Sequence, residues 1–390
     1  MRIAHLTTVA SSLRYLLRAQ LVGALDAGHE VIGISAPGED VGYLTELGVR
    51  HIPLPGSTRS FSVRSDLQAA AALGRIVRKE RVDLLHTHNP KPGLYGRVVG
   101  RLVRVPIIVN TVHGLYATET DPWTKQAVVY GLEAVASRFS HAELVQNEED
   151  VDTMRRLRLA PARRLQHLGN GVDLDRFAAS DPIARQTLRA ELGVDDDTVV
   201  VGVVARLVAE KGYRELFEAV PRLPEGCLVV CIGPDDPERP DALPRPVIDG
   251  ARTDGVRFCG FQADPERWYH AMDLFVLPSY REGIPRAAME AAASGLPIVA
   301  TDVRGCRQVV RDGDNGLLVP ARDASALADA LTRLVGDAER RRAMGIRSRK
   351  LAEERFDERR IVATVLATYE RLEAERARQV SRNQARRAAS

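Results

Sequence analysis

Aromatic residues are scarce in this chain, at 5% of 390 residues, and no basic stretch is interleaved with them. The stacking platforms and basic stripes that grip nucleic acid are therefore missing, and no nucleic-acid partner is expected. No run of 18 apolar residues occurs either, which excludes a membrane-spanning helix. Met1-Arg2-Ile3-Ala4-His5-Leu6 reads as a first strand and not as a signal peptide. Cysteine is limited to Cys227, Cys231, Cys259 and Cys306, with no Cys-x2-Cys pair, so buried reduced thiols are a better reading than a zinc site. No repeat of solenoid period is present.

What the chain does have is length and alternation. Its 45% hydrophobic and 27% charged residues are ordinary for a soluble globular protein, and 390 residues suffice for two domains with separate cores. Strand-type runs at 3–7, 31–35, 51–54, 82–87, 107–112 and 142–146 alternate with helical patterns such as 12–27, 66–80, 93–105, 123–139 and 150–157. The scheme returns with strands near 199–204, 228–232, 256–259, 274–278, 297–301 and 316–319, followed by three helices over 323–373. Such alternation predicts an α/β protein of two Rossmann-like domains, each a parallel sheet covered on both faces, meeting at a cleft. The expected divisions are 1–170, 171–365 and 366–390, with Gly169-Asn170-Gly171 and the segment after Phe177 as the connection. Arg376–Ser390, with five arginines and no acid, is expected to be disordered.

Charge is unevenly spread, with a net +5 over residues 1–170 and −7 over 171–375. A basic first half and an arginine tail suit an anionic lipid surface or a polyprenyl diphosphate. Arg97, Arg101 and Arg104, at i, i+4 and i+7 beside Leu94, Val98 and Leu102, read as one basic helix stripe. That stripe suits peripheral contact with an anionic membrane, and a solvated helix face is the competing reading.

The most pointed signal is a pair of carboxylates. Glu282 and Glu290 stand with seven residues between them, after the apolar run Leu274-Phe275-Val276-Leu277-Pro278 and around Pro285, a residue suited to a helix's first turn. A helix N-terminus favours an anion, and carboxylates beside it can hold hydroxyls, so a phosphorylated sugar fits the pair. A loop carboxylate and a water-facing helix residue are the plainer alternative. Arg206 and Lys211 strengthen the anion reading. They follow the buried strand run 199–204, and open α/β sheets place ligands at such carboxyl ends. One offers phosphate oxygens a planar fork, the other a point charge.

With Glu282, Glu290, Arg206, Lys211 and the turn Gly169-Asn170-Gly171-Val172-Asp173 together, the chain resembles the GT-B glycosyltransferases of the large retaining family 4, glycosyltransferase group 1, over nearly its whole length. The resemblance implies that Glu290 holds the ribose of a nucleotide-sugar donor, that Glu282 lies near the donor sugar, and that Arg206 and Lys211 neutralise the diphosphate. It makes Gly260-Phe261-Gln262 the base-binding turn and sets Gly283, Ile284, Pro285 and Arg286 at the donor. It further implies a C-terminal helix crossing back to the first domain, retention of anomeric configuration, and no metal or other cofactor. The expected reaction moves a hexose or N-acetylhexosamine from a UDP-linked donor to a carbohydrate or polyprenyl-diphosphate-linked acceptor, in cell-surface polysaccharide or glycoconjugate synthesis. Its expected location is the cytoplasm or the inner membrane face. A non-catalytic nucleotide-sugar-binding protein and a transferase with a soluble small acceptor stay open. A glycoside hydrolase would also pair carboxylates, but it has no use for the Arg/Lys anion site.

In the first domain His113 follows the strand run 107–112 and precedes Gly114, which brings it to the sheet's carboxyl edge. Taken alone it reads as a structural hydrogen-bonder; the resemblance implies sugar orientation and transition-state support rather than base chemistry. His86 and His88 share one sheet face, and with no third ligand given by spacing they are expected to line a cleft and not to hold a metal. Asp173-Leu174-Asp175 looks like the Asp-x-Asp metal motif of a different glycosyltransferase fold, but it follows Gly171 in a turn and is not expected to bind metal. Many family members carry a glycine-rich loop after the first strand, where this chain has Thr7-Thr8-Val9-Ala10-Ser11-Ser12-Leu13-Arg14. Ser11, Ser12 and Arg14 can still meet an anion, whether donor diphosphate or acceptor phosphate, and Asn89 and Lys91 are expected at the acceptor.

Overall fold

The computed structural model describes every residue except 59, 61, 119, 120, 179, 180, 238, 240, 389 and 390, and omits the side chains of 387 and 388. Two parallel sheets organise it. The first contains β1 (Arg2–Val9), β2 (Glu30–Ala36), β3 (Arg50–Pro53), β4 (Leu84–His88), β5 (Ile107–Val112), β6 (Ala142–Val145) and β7 (Leu165–His167), in the order β3-β2-β1-β4-β5-β6-β7. The second contains β8 (Val199–Val204), β9 (Cys227–Ile232), β10 (Arg257–Gly260), β11 (Leu274–Leu277), β12 (Ile298–Thr301) and β13 (Gly316–Val319), in the order β10-β9-β8-β11-β12-β13. Central strands such as β5 and β8 are buried almost from end to end because helices cover both of their faces. Only β7 escaped the sequence reading. Leu-Gln-His is too short and too polar to carry a strand signal.

Both sheets change winding direction at one place, between β1 and β4 in the first and between β8 and β11 in the second. At such a switch the loops leaving neighbouring strands go to opposite sides and open a crevice at the carboxyl ends. Every residue singled out by the sequence for donor or acceptor contact, except those of the base-binding turn after β10, follows β1, β4, β5, β8 or β11. The topology alone thus accounts for where the site residues gather within each sheet.

Each sheet has its own core. Ile3, Leu17, Val109 and Leu144 pack on one face of the first, and Leu6, Ile32, Leu73 and Ile108 on the other. Phe275, Met289 and Ile298 occupy one face of the second, Val201, Leu216 and Leu331 its opposite. Each such side chain contributes about 1.5–3 kcal/mol by leaving water.

The compact units are Met1–Gly169 with Arg359–Ser390, and Asn170–Glu358. The first division falls at the expected turn, where Gly169 has a φ of +74°. Phe177, by contrast, is 1% exposed in the second core, so the chain is already anchored there; of the expected connecting segment after it, residues 179 and 180 lie outside the described residues. The return to the first unit comes at 359 and not at 366, because Ile361, Val365, Tyr369 and Leu372 are all buried against the first sheet. The tail differs more. Instead of disorder, the helix Glu358–Ala388 continues to its end, its last part exposed on every side; arginine, alanine and glutamine are strong enough helix formers to prolong a helix that packing has started. Residues 389 and 390 of that expectation lie outside the described residues.

Candidate active site

In the second unit the loops after β8 and β11 are drawn together by a glycine. Gly212 has a φ of +71°, and a Cβ there would lie 1.9 Å from the Pro278 carbonyl oxygen, so no other residue lets the β8 turn rest against the end of β11. The Tyr280 N–H donates to the Glu210 carbonyl at 2.9 Å and closes the same join. The consequence is an ion pair: Lys211 Nζ lies 2.6 Å from Glu282 Oε1, with the carboxylate side chain only 10% exposed. Arg206, at the end of β8, is 41% exposed and has Asp236 at 3.9 Å.

Glu290 is held separately. It sits in the helix Arg286–Ala293, whose N-cap is Pro285, one position earlier than a first-turn proline. Its Oε1 accepts from Arg286 Nε at 2.9 Å and its Oε2 from the Tyr269 hydroxyl at 2.9 Å. Burial, then the charge of Glu290, push the Tyr269 phenol well above its ordinary value, so it stays a donor. The two carboxylates of the motif therefore each have a cation of their own. Tyr269 was invisible to sequence reasoning because a buried tyrosine in a helix looks like core.

Phe261 follows Gly260 (φ +68°) and is 59% exposed, an open ring suited to stacking on a base. Gln262 Nε2 donates to the Cys259 carbonyl at 2.7 Å, which stiffens the turn. Gly283 and Ile284 complete the entry to the helix, pressed by Gly305, where a Cβ would meet the Glu282 carbonyl oxygen at 2.6 Å. Asp173 Oδ1 accepts from the Asp175 and Arg176 N–H groups at 3.1 and 3.0 Å, so that carboxylate caps a turn. All four cysteines are free, with Cys231 and Cys306 buried.

The first unit offers a cavity of ≈ 370 Å³ lined by Asn89, Lys91, His113, Tyr116, Leu132 and Glu133 among others. Asn89 has a φ of +67°, tolerable for asparagine, and its Oδ1 accepts from the Thr8 N–H at 3.3 Å, tying the ends of β4 and β1. Lys91 pairs with Asp66 at 2.5 Å and donates to the Ser60 carbonyl at 2.7 Å. Ser11 and Ser12 lie in the first turn of the helix Ala10–Asp26, half-buried. Arg14 turns elsewhere: it pairs with Asp40 at 2.9 Å and stacks over Tyr43 at 4.3 Å.

The expected arginine stripe does not form. Arg97 is 1% exposed and grips Glu133 through both terminal nitrogens at 2.7 and 2.9 Å, with Glu143 at 2.9 Å. The helix Pro90–Leu102 then ends, and Arg104 has a φ of +63°, so it leaves the helical face that spacing had assigned to it. Only Arg101 and Arg104 reach solvent.

His86 and His88 do share a face, but they are buried and do not line a cleft, because the helix Glu358–Ala388 covers them. His86 meets the Tyr369 hydroxyl through Nδ1 at 2.6 Å and Thr111 through Nε2 at 2.7 Å. His88 Nε2 meets His5 Nδ1, and His88 Nδ1 meets His113 Nε2, both at 3.1 Å. His5, in register with His86 on β1, is the third histidine that spacing could not supply, and one nitrogen from each of the three falls within 4.8 Å of the others. His86 and His88 have both ring nitrogens engaged; His5, His88 and His113 form one hydrogen-bonded string, while His86 bonds Tyr369 and Thr111 instead. Burial lowers His5 to about 3 and His113 to about 4. His88 falls well below its ordinary value through burial and then through its histidine neighbours.

Two parallel-sheet Rossmann-like units, with Arg206, Lys211 and a Glu-x7-Glu pair following the switch-point strands of the second, define the GT-B class of sugar transferases. The chain belongs to the glycosyltransferases of family 4, group 1: the Glycosyltransferase Family 4 model matches residues 15–176 and the Glycosyl transferases group 1 model residues 198–337. It is 32% identical over 345 residues to the D-inositol 3-phosphate glycosyltransferase of Xylanimonas cellulosilytica, covering 83% of this chain and 82% of that protein. It is 28% identical over 310 residues to the UDP-Gal:alpha-D-GlcNAc-diphosphoundecaprenol alpha-1,3-galactosyltransferase of Escherichia coli, covering 76% and 77%. Among solved structures, Anabaena HepE in complex with UDP and glucose shares the fold with a TM-score of 0.78 at 21% identity, over 95% of this chain and 99% of that one.

Proposed function

We propose that this glycosyltransferase moves a sugar from a UDP-linked donor to a polyprenyl-diphosphate-linked saccharide with retention of configuration, at the inner face of a membrane. The observation that carries the reading is the Lys211–Glu282 pair joining the loops after β8 and β11, with Arg206 on the same β8 loop and Glu290 in the helix that follows the β11 loop. The naming of the Escherichia coli relative supports the lipid-diphosphate acceptor, and UDP in the HepE complex supports the donor.

In this reading Glu290 holds the ribose, Phe261 and Gln262 the base, and Arg206 with Lys211 the diphosphate. The acceptor hydroxyl attacks the anomeric carbon from the face that the diphosphate leaves. The carbon–oxygen bond to phosphate breaks as the new one forms, and the departing phosphate oxygen takes the hydroxyl proton. Arg206, Lys211 and the helix start at Arg286 stabilise the charge arriving on that oxygen, the largest source of rate in such a design. His113 orients the sugar through a hydrogen bond. With a pKa of about 4 it is a poor base near neutral pH.

The test is release of UDP from a panel of UDP-sugars with and without a polyprenyl-diphosphate saccharide. Acceptor-dependent release supports the reading, and donor binding with no release would make the chain a nucleotide-sugar-binding protein. In the same assay EDTA is expected to leave transfer intact, since Arg206 and Lys211 carry the diphosphate; complete loss restored by magnesium would overturn that point. The carboxylates are expected to separate. Glu290→Gln weakens UDP binding by about tenfold, the scale of one lost charge-assisted hydrogen bond. Glu282→Gln spares UDP affinity and slows turnover, and equal losses of UDP affinity in both would refute the division.

A further inference from the structure

The helix Trp123–Ala136 is inside out. Most of its polar residues face the protein: Glu133 holds Arg97, the Tyr130 hydroxyl donates to the Ala117 carbonyl at 3.1 Å, and Gln126 Nε2 donates to the Asp121 carbonyl at 2.8 Å. Its outer side is apolar apart from Thr124 in the first turn. Trp123 is 77% exposed, Val128 62%, Val135 58% and Leu132 46%, with Ala127 and Gly131 exposed between them. These positions recur every three or four residues and so form one face. An ordinary surface helix has the opposite polarity, and a contiguous apolar face of this kind marks a contact site.

Charge says what the contact is with. Arg101, Arg138 and Arg163, all exposed, lie close enough to Arg164 to depress its pKa, after the larger effect of burial. Arg164 donates to the Arg138 and Ser140 carbonyls at 3.0 and 2.7 Å and so fastens this group to the end of the helix. Leu102, 72% exposed, and the exposed Arg104 close the preceding helix. The single acid of the 123–136 helix, Glu133, is turned inward, so nothing on that helix's outer face offsets the arginines. A second copy of the chain would cover the apolar residues but would bring no acid of this face to the arginines. An anionic phospholipid surface answers both, taking apolar side chains at the headgroup–acyl boundary and arginines at the phosphates.

We propose that the outer face of the 123–136 helix, with Arg101, Arg138 and Arg163 gathered at its C-terminal end, docks on an anionic phospholipid bilayer. Leu132 belongs both to this face and to the lining of the cavity, so docking sets the cavity mouth at the level of the lipid headgroups. The inference rests on the lipid-linked-acceptor reading for its purpose, yet vesicles that contain no acceptor test it alone.

The experiment uses the full chain carrying Trp268→Phe, which leaves Trp123 as the one tryptophan, and vesicles of phosphatidylcholine with or without phosphatidylglycerol. Flotation with the anionic vesicles is expected at low salt and is lost at high salt. Trp123 emission shifts to the blue and its quenching by acrylamide falls. Val128→Asp with Val135→Asp weakens binding at least about tenfold, and Arg101→Gln with Arg138→Gln weakens it at low salt, without change in melting temperature. Should Trp268→Phe fail to fold, the blue shift in the two-tryptophan protein gives the same readout. The proposal is overturned by absence of binding to anionic vesicles at low salt, or by flotation with Trp123 still open to quencher. Self-association abolished by the valine substitutions, with no vesicle binding, overturns it in favour of a second copy.

Discussion

Alanine at Lys211 is expected to lower kcat/KM by about 10²–10³, on the scale of losing one preorganised group that meets charge in the transition state. The size follows from two losses at once. The ammonium no longer meets the diphosphate, and Glu282, only 10% exposed and 2.6 Å from that ammonium, is left as an uncompensated carboxylate facing an anion. Donor affinity and turnover therefore fall together. Lys211→Arg keeps the charge and recovers part of both. Lys211→Ala combined with Glu282→Gln removes the repulsion and so recovers UDP affinity without recovering turnover. Calorimetric titration with UDP beside steady-state kinetics separates these outcomes, and unchanged constants in Lys211→Ala would refute the assignment.

The other large effect is acid lability of the first unit. His5, His86 and His88 are at most 1% exposed, and burial keeps all three neutral, His5 down to about 3 and the others well below their ordinary value. Their folded pKa values lie below the unfolded value of about 6.5. Below that pH the unfolded chain binds protons that the folded chain refuses, so stability is full above it and drains away as pH falls toward the folded values. Each histidine contributes a slope of about 1.4 kcal/mol per pH unit, and three give about 4, against a typical total of about 5–15 kcal/mol. Glu143 works the other way, since burial raises its carboxyl, and offsets up to about one proton of the slope below its folded value. The melting transition of the first unit, followed by calorimetry from about pH 7 to about pH 5, should drop steeply. His5→Gln, which takes up no proton, should flatten that drop by about one proton's worth, and a flat profile in the wild type would refute the account.

Much of the candidate site in the second unit was legible because its signals are local. A strand, a turn with Arg206 and Lys211, a second strand and a Glu-x7-Glu helix start follow each other along the chain, and parallel-sheet topology does the rest. Tyr269 was not legible, since its link to Glu290 crosses 21 positions and nothing in a helical tyrosine announces it. The first unit was read less well for the same reason. The fate of Arg97 is decided by Glu133 and Glu143, 36 and 46 residues away, and that of His86 by Tyr369, 283 residues away. Periodicity placed the two histidines on one face but could not say what would cover it, and it extended the arginine stripe to Arg104, past the end of the helix at Leu102. The tail was misread because composition speaks to whether a segment starts a helix, and this one only prolongs a helix already packed.

Tyr369 also has a bearing on how the molecule comes into being. Residues 1–169 emerge from the ribosome first, but the side chains that close their core, Val365, Tyr369 and Leu372 among them, are translated only after the whole of the second unit. Early in synthesis the buried histidines of β1 and β4 have no lid, and they can exchange protons with water until the helix that carries Tyr369 arrives. The second unit, continuous in sequence, can finish folding while the first still waits. Truncation at 359 would thus spare the second unit, next to the cut, and cripple the first, which lies farther from it along the chain.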